Sequence, residues 1–509
     1  MSASARAVAT FANGQAIALD AVPLLTPEEF GCAIVEAIGA GQRVAALFAA
    51  LDDANALQRY VVLADDEHST LHAARANVDE PGFASLAPQC PQVHLFEREI
   101  AEQYGIEPVG HPWLKPVRYH RSWTARDAWQ RPAGEAIVPG GGEFYRVEGD
   151  EVHEVAVGPV HAGVIEPGHF RFQCHGEQVF HLEIALGYQH RGVEEALRGG
   201  PTKRSMHYAE TLAGDTTIAH ATAYCRVLEA LARCRESARS PALRGIALEL
   251  ERLANHVGDL GALANDVGFL PTASFCGRIR GDFLNMTALL CGSRFGRGMI
   301  RPGGVGFDVD EARLAELRRR LDVAEKETAN AVNLLWDTPS VMARFEGTGV
   351  LPRDVAVELG IVGPAARASG LGRDARHDLP SGIYRFAHLP VSTCDGGDVF
   401  ARAYVRWLEI QQSVEFIREQ ISAIPPGRPQ VALGPLAPRA LAVALNEGWR
   451  GEVCHVAITD AQSRFARYKV VDPSFHNWAA LAYVLRNQQI SDFPLCNKSF
   501  NLSYCGHDL

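Results

Sequence analysis

The sequence predicts an α+β region followed by a mainly α-helical region that opens with a small β-sheet. Three observations carry this. Short apolar runs alternate with polar helical stretches over residues 1–118. A Pro- and Gly-rich segment, residues 119–150, then interrupts every period. Beyond it, apolar residues recur mostly at three- and four-residue steps, the spacing of one helix face. With 509 residues and 47% hydrophobic content, two or more domains are expected rather than one core.

Each element has a local reason. Ala45-Ala46-Leu47-Phe48 and Tyr60-Val61-Val62-Leu63-Ala64 read as strands. Pro27 to Phe30 opens a helix, with Thr26 as N-cap and Pro27 in the first turn, where its missing N–H costs nothing. Glu97 to Tyr104 forms a second helix, stopped by Gly105. In 119–150, Pro132, Pro139 and Gly140 to Gly142 favour no regular element. The boundary falls there, giving an α+β domain over 1–118, a linker over 119–150 and a second domain over 151–509. Val152, Val155 and Val157, then Phe170, Phe172 and Val179 to Leu182, predict the small sheet. Residues 205–237 and 242–265 carry the helical period. Asp310 caps a long helix bearing Leu314, Leu317, Leu321, Leu334 and Leu335, which Pro339 is expected to end. Residues 396–423 make another helix, and the C-terminal part reads as more irregular.

Composition narrows the function classes. Net charge is -11, from 60 acids and 49 bases, and no basic stretch is sustained, so nucleic-acid binding is not expected. No apolar run reaches about 18 residues, so no membrane span of its own is expected. The N-terminus lacks the apolar core of a signal peptide. The chain is therefore expected in the cytoplasm, meeting a membrane through partners. No two of the 11 cysteines lie within four residues, whereas zinc and iron–sulfur sites usually contain a close pair. No metal held by this chain is expected, and the thiols read as small, reduced core residues. Gly140 to Gly142 lacks the Lys-Ser/Thr ending and preceding strand of a phosphate loop.

An ordered set of segments carries a resemblance. It comprises Gly158-Pro-Val-His161, Glu166-Pro-Gly-His-Phe-Arg171, Gly187-Tyr-Gln-His-Arg-Gly-Val-Glu194, and Glu251-Arg-Leu253 with His256. Gly363-Pro364, Arg367-Ala-Ser-Gly370, Arg373-Asp374 and Asp472-Pro-Ser-Phe-His-Asn-Trp478 follow. The set resembles the large subunit of group 4, energy-converting nickel–iron hydrogenases and the D subunit of NADH–quinone oxidoreductase. Glu97-Arg98-Glu99 and Gly105-Ile-Glu-Pro-Val-Gly-His-Pro112 resemble the C subunit, which formate hydrogenlyase carries fused to its large subunit.

In the hydrogenases four thiolates, soft ligands suited to these metals, hold nickel and iron. The first pair of positions falls on Ala213 and Thr216, around Gly214 and just before Ala219-His220. The second pair falls on Ser503 and Gly506. The resemblance therefore implies a member without the nickel–iron site. The sequence ends shortly after Gly506, and no cleavable maturation tail is expected.

The resemblance also implies a cavity or proton path drawing on His161, Glu166, His220, Asp266, Arg367, Arg373 and Asp374. It places Arg278 beside a partner's iron–sulfur cluster. The quinone tyrosine position falls on Gly214, and the second quinone histidine falls near Ile165 or Glu166, so quinone remains an open ligand. Structural readings stand beside these. The histidines read first as hydrogen-bonded core groups, while Glu166 reads equally as an arginine partner, and Arg367, Arg373 and Asp374 equally as a solvated loop.

The implied function is the large subunit of a membrane-associated, hydrogenase-like or complex I-like oxidoreductase. It would couple electron transfer from a partner iron–sulfur subunit to ion translocation. A small iron–sulfur subunit holding a 4Fe–4S cluster and antiporter-like membrane subunits are the implied partners, at the cytoplasmic face of a bacterial inner membrane. Two alternatives remain: a redox-inactive scaffold of an antiporter-like complex, and an NADH–quinone oxidoreductase subunit with an altered quinone pocket.

Overall fold

The structure is a computed structural model that describes residues 8–78, 82–132, 134–161 and 165–509. The first region begins with β1 (Ala9–Phe11), β2 (Ala16–Ala18) and β3 (Leu24–Leu25), then α1 (Pro27–Gly39). Thr26 accepts from the Glu29 N–H while the Glu29 carboxylate accepts from the Thr26 N–H. This reciprocal cap satisfies two of the donors a helix start leaves open. The strands β4 (Arg43–Leu51), β5 (Leu57–Asp65) and β6 (Thr70–Asn77) form an antiparallel meander. β1 and the parallel β3 both pair with β6, completing a five-stranded sheet. β7 (Gly82–Ala84), α2 (His94–Tyr104) and β8 (Glu107–Val109) follow. α2 ends at Gly105, whose φ of 67° suits glycine. The predicted strands and both helices are present.

Residues 119–132 and 134–150 contain no helix or strand. They are nonetheless pinned. The Trp123 N–H donates to the Gln103 carbonyl, and the Tyr145 N–H donates to Glu183 at 2.8 Å.

The second region opens with the expected antiparallel sheet, β9 (Val152–Val157), β10 (His169–His175) and β11 (Gln178–Ala185). Helices α3 (Val193–Leu197), α4 (Ser205–Glu210), α5 (Thr217–Leu231), α6 (Arg239–Asp266) and α7 (Leu270–Cys291) follow. The short hairpin β12 (Ile300–Arg301) and β13 (Gly304–Val305) leads to α8 (Glu311–Trp336), α9 (Pro339–Phe345), α10 (Arg353–Glu358), α11 (Gly363–Arg367) and α12 (Val399–Ser422). α6 packs against α7 and α12, and α7 against α8. Two expectations are corrected. The 205–237 stretch is two helices broken at 211–216, where Gly214 is exposed. Pro339 does not end α8. It opens α9 at a first-turn position.

The C-terminal part is more regular than expected. β14 (Ala440–Gly448), β15 (Gly451–Thr459) and β16 (Phe465–Val471) form an antiparallel sheet, followed by α13 (Pro473–Val484), α14 (Phe493–Phe500) and α15 (Tyr504–Asp508). Leu441, Val443, Leu445, Cys454 and Val456 point into the core of the first region. Ala440, Ala442, Ala444, Val453 and Ala457 point into the helical core. A strand buried on both faces reads as an unbroken apolar run instead of an alternation, so its period of two is hidden in the sequence. β2 adds a fourth strand, with Ile17 opposite Leu441. The two regions thus share one sheet.

Candidate functional site

The two pairs of positions aligned with metal ligands come together. Ala213 and Thr216 lie on the loop before α5, and Ser503 and Gly506 lie at the start of α15. Arg191 ties the loops to each other. Its guanidinium donates to the carbonyls of Thr211 (2.7 Å), Leu212 (2.9 Å) and Cys505 (3.1 Å). Arg450 is a second tie. It meets the Asp215 carboxylate at 2.6 and 2.8 Å, the Thr216 hydroxyl at 3.1 Å and the Asn501 carbonyl at 2.5 Å. Its guanidinium also stacks on Trp449, 3.9 Å from the ring centre. Burial pushes the Asp215 carboxyl up, but the Arg450 charge outweighs it and holds Asp215 below the usual range.

The donor atoms at the four positions follow from the residues. Ala213 offers a buried methyl group and Gly506 no side chain. The Thr216 hydroxyl is engaged by Arg450, Trp449 and Asp215. The Ser503 hydroxyl accepts from the Gly506 N–H at 2.9 Å, capping α15. Cys505 lies between the last two positions in sequence. Burial first, and then the nearby Glu166 carboxylate, push its thiol up to about 11, so it is not a thiolate at neutral pH. Among the described residues, no three His, Cys, Asp or Glu side chains gather as a metal site.

Glycine at 506 has a steric reason. A Cβ there would lie 2.7 Å from the Asp472 carboxylate. Asp472 caps α13 with one oxygen. The other oxygen starts a chain of buried hydrogen bonds. Asp472 Oδ2 meets His220 Nε2 at 3.0 Å, His220 Nδ1 meets His455 Nε2 at 3.1 Å, and His455 Nδ1 meets the Tyr468 hydroxyl at 2.9 Å. All four side chains are at most 1% exposed. Burial raises Asp472, but the hydrogen bond from His220 and the Arg450 charge outweigh it, so Asp472 is ionised. Burial holds His455 well below its ordinary value and Tyr468 well above. One set of tautomers points the donors all one way: Tyr468 to His455, His455 to His220, His220 to Asp472. A proton added at His220 Nδ1 reverses the outer two bonds. The arrangement is a four-member hydrogen-bonded chain ending beneath Gly506.

Glu251 borders the same loop. Its carboxylate accepts from the N–H groups of Ile218 (2.6 Å) and Ala219 (3.2 Å), the open start of α5. Burial pushes it up to about 8, with Asp215 adding to the rise and the two N–H groups opposing it. It changes charge near neutral pH. The space between Asp215, Glu251 and Asn255 amounts to about 10 Å³.

Comparison with known proteins finds matches in both regions. The family described as "Respiratory-chain NADH dehydrogenase, 49 Kd subunit" matches residues 266–433 and 429–508, and the corresponding "30 Kd subunit" family matches residues 33–132. "Carbon monoxide-induced hydrogenase" of Rhodospirillum rubrum is 31% identical over 69% of this chain and 97% of its own length. The chain belongs to this hydrogenase and complex I family. "Formate hydrogenlyase subunit 5" of Escherichia coli is 29% identical over 84% of this chain and 78% of its own. "NADH-quinone oxidoreductase subunit 4" of Thermus thermophilus is 29% identical over 67% of this chain and 90% of its own.

In this 30 and 49 kDa fusion the candidate residues divide into three sets. Glu166 and His220 lie at the centre. Glu166 accepts from the Tyr504 and Cys505 N–H groups, both at 3.3 Å, and not from an arginine. His161 lies 6.1 Å from the Phe170 ring, with its Nε2 buried and without a hydrogen-bond partner among the described residues. Arg367 and Asp374 form a second, deeper cluster, so the solvated-loop reading does not hold for them. Arg367 meets Glu409 and Glu447, each at 2.8 Å, and Asp374 meets Arg376 at 2.6 Å. The remaining three are elsewhere. Arg373 lies 3.6 Å from Asp66 in the first region. Asp266 is exposed at the end of α6. Arg278 is exposed and paired with Asp282 and Glu327. Among the described residues, no single cavity gathers the seven residues expected to line one.

Arg191, Glu251, Arg450, His455, Tyr468 and Asp472 were not singled out as site residues by sequence reasoning. Arg191, Glu251 and Asp472 stood inside the motifs that carry the resemblance. His455 carried a usable signal, a lone imidazole inside the apolar run Val453 to Ile458.

Proposed function

We propose that this chain is the large subunit of a hydrogenase-like or complex I-like oxidoreductase complex that holds no nickel–iron centre. Electron arrival on a partner's iron–sulfur cluster is coupled there to proton movement. One observation carries the reading. The four aligned positions supply a methyl, a missing side chain and two hydroxyls already hydrogen-bonded, and the Arg450 guanidinium bridges the two loops. Nickel and iron take soft thiolates, so this donor set does not fit them. What remains beside the loops is proton chemistry: the Asp472–His220–His455–Tyr468 relay and Glu251. The chain has no membrane-crossing helix among the described residues, so membrane association and localisation at the cytoplasmic face rest on partner subunits. Quinone stays a candidate ligand near exposed Gly214, where a methyl group added to the backbone would meet nothing within 4 Å.

The test is to purify the intact complex and measure metals, hydrogen uptake and quinone reduction. The reading expects iron from a partner cluster, no stoichiometric nickel and no hydrogen uptake. One nickel per chain overturns it. A second reading, the redox-inactive scaffold, is favoured by the roughly 10 Å³ beside Asp215, about the limit for a single water. His455→Phe separates the two. It slows proton-coupled turnover if the relay works, and leaves turnover unaltered, apart from a loss of stability, if the chain is a scaffold.

A further inference from the structure

A cavity of about 560 Å³ lies where α2, the 111–119 segment, β11 and α13 meet. None of the four aligned positions and no relay residue lines it. Leu182, Leu186, Leu359 and Trp478 supply apolar walls, and Ala479 and Ala482 on α13 leave the room between larger neighbours. The volume and lining match those of sites that enclose small organic ligands.

Charge in the cavity is unbalanced. Glu183 is consumed by Lys115 at 2.5 Å and by the Trp113 indole N–H at 3.0 Å. Arg98 donates to the carbonyls of Lys115 (2.8 Å) and Pro116 (2.9 Å) and is in ion-pair contact with no carboxylate among the described residues. Burial pulls its guanidinium below its ordinary value, and the more distant charges of Tyr119, Glu102 and Glu183 offset this only in part. Burial also keeps the neighbouring His94 at about 4, so it is neutral. A part-buried cation held by carbonyls alone leaves its charge without a contacting carboxylate, and an entering anion offsets that cost.

We propose that this cavity binds an amphipathic anion, an acyl-chain carboxylate or phosphate, with its anionic end on Arg98 and its chain along Leu182, Leu186, Leu359 and Trp478. The proposal is independent of the redox reading above.

The experiment is calorimetric titration of the full-length chain, alone and in its native complex, with decanoate, decyl phosphate and neutral decanol. Expected is saturable binding of at least one of the two anions, about ten-fold or more tighter than decanol, as a charge-assisted contact supplies. The preferred anion distinguishes a free acid from a lipid-type phosphate. Arg98→Gln should reduce the anions to the decanol level. Ala482→Trp, which fills the cavity from α13, should abolish all binding. Equal binding of decanol and both anions, no saturable binding, or binding retained in Ala482→Trp overturns the proposal. So does binding to the isolated chain that disappears in the complex, which would mean that a partner's acidic side chain occupies Arg98.

Discussion

The two faces of the β14–β16 sheet carry opposite kinds of buried polarity. Alternation along the strands places Arg467 and Lys469 toward the first region and His455 and Tyr468 toward the helices. On the first face, Lys469 meets Glu99 at 2.6 Å and Glu194 at 3.1 Å, while Arg467 meets Glu194 at 2.8 Å. Burial raises Glu194, but the two cations outweigh it and hold it far below the usual range. Protonation there is fixed. On the second face, His455 and Tyr468 bond to each other and to His220, with no ion pair among the described residues, and burial keeps both neutral. One face fastens two regions with permanent charges. The other holds uncharged groups joined by hydrogen bonds.

Lys469→Met attacks the fastening face. It strips Glu99 and Glu194 of a shared cation, and removing one member of a buried pair costs about 3–5 kcal/mol. Denaturant unfolding should show that loss. A cost under about 1 kcal/mol would mean the face is not held by charge. His455→Phe attacks the other face. It leaves the Tyr468 hydroxyl and His220 Nδ1 without partners, at about 1–3 kcal/mol, read by the same unfolding assay.

Glu251→Gln sharpens the distinction through pH. The Glu251 carboxyl titrates near 4.5 when unfolded and near 8 when folded. Its contribution is therefore full below the unfolded value and lost as pH rises toward 8. The melting temperature of the variant should gain on that of the native chain from pH 5 to pH 8.5. Parallel curves would show that Glu251 stays ionised. The smallest effect belongs to Arg278→Ala. The side chain is exposed, and such surface pairs contribute about 0–1 kcal/mol, so stability should hardly change. A weakened association with the iron–sulfur partner would sharpen its role.

What was legible in the sequence was local. The Thr26–Glu29 cap, the stop at Gly105 and the β9–β11 sheet each follow from a few adjacent residues. The β14–β16 sheet did not, because burial on both faces erased its alternation. The site divides the same way. Motif order located Ala213, Thr216, Ser503 and Gly506, and these do converge. The partners that give the site its chemistry are long-range: His220 reaches His455 across 235 positions and Asp472 across 252. No spacing rule encodes such a pair. Asp266 and Arg278 show the converse, since family position named them while the helix faces that carry them turn outward.

The pairing of Ala16–Ala18 with Ala440–Ala442 sets an order of assembly during synthesis. The early strand leaves the ribosome while residues 19–439 are still to be made, roughly 20–80 s at ordinary bacterial elongation rates. Throughout that interval its hydrogen-bonding edge is open to any other nascent strand. Closure of the sheet is therefore a late checkpoint. A chain truncated before residue 440 leaves that edge bare, a mark by which chaperones and proteases can tell an unfinished subunit from a finished one.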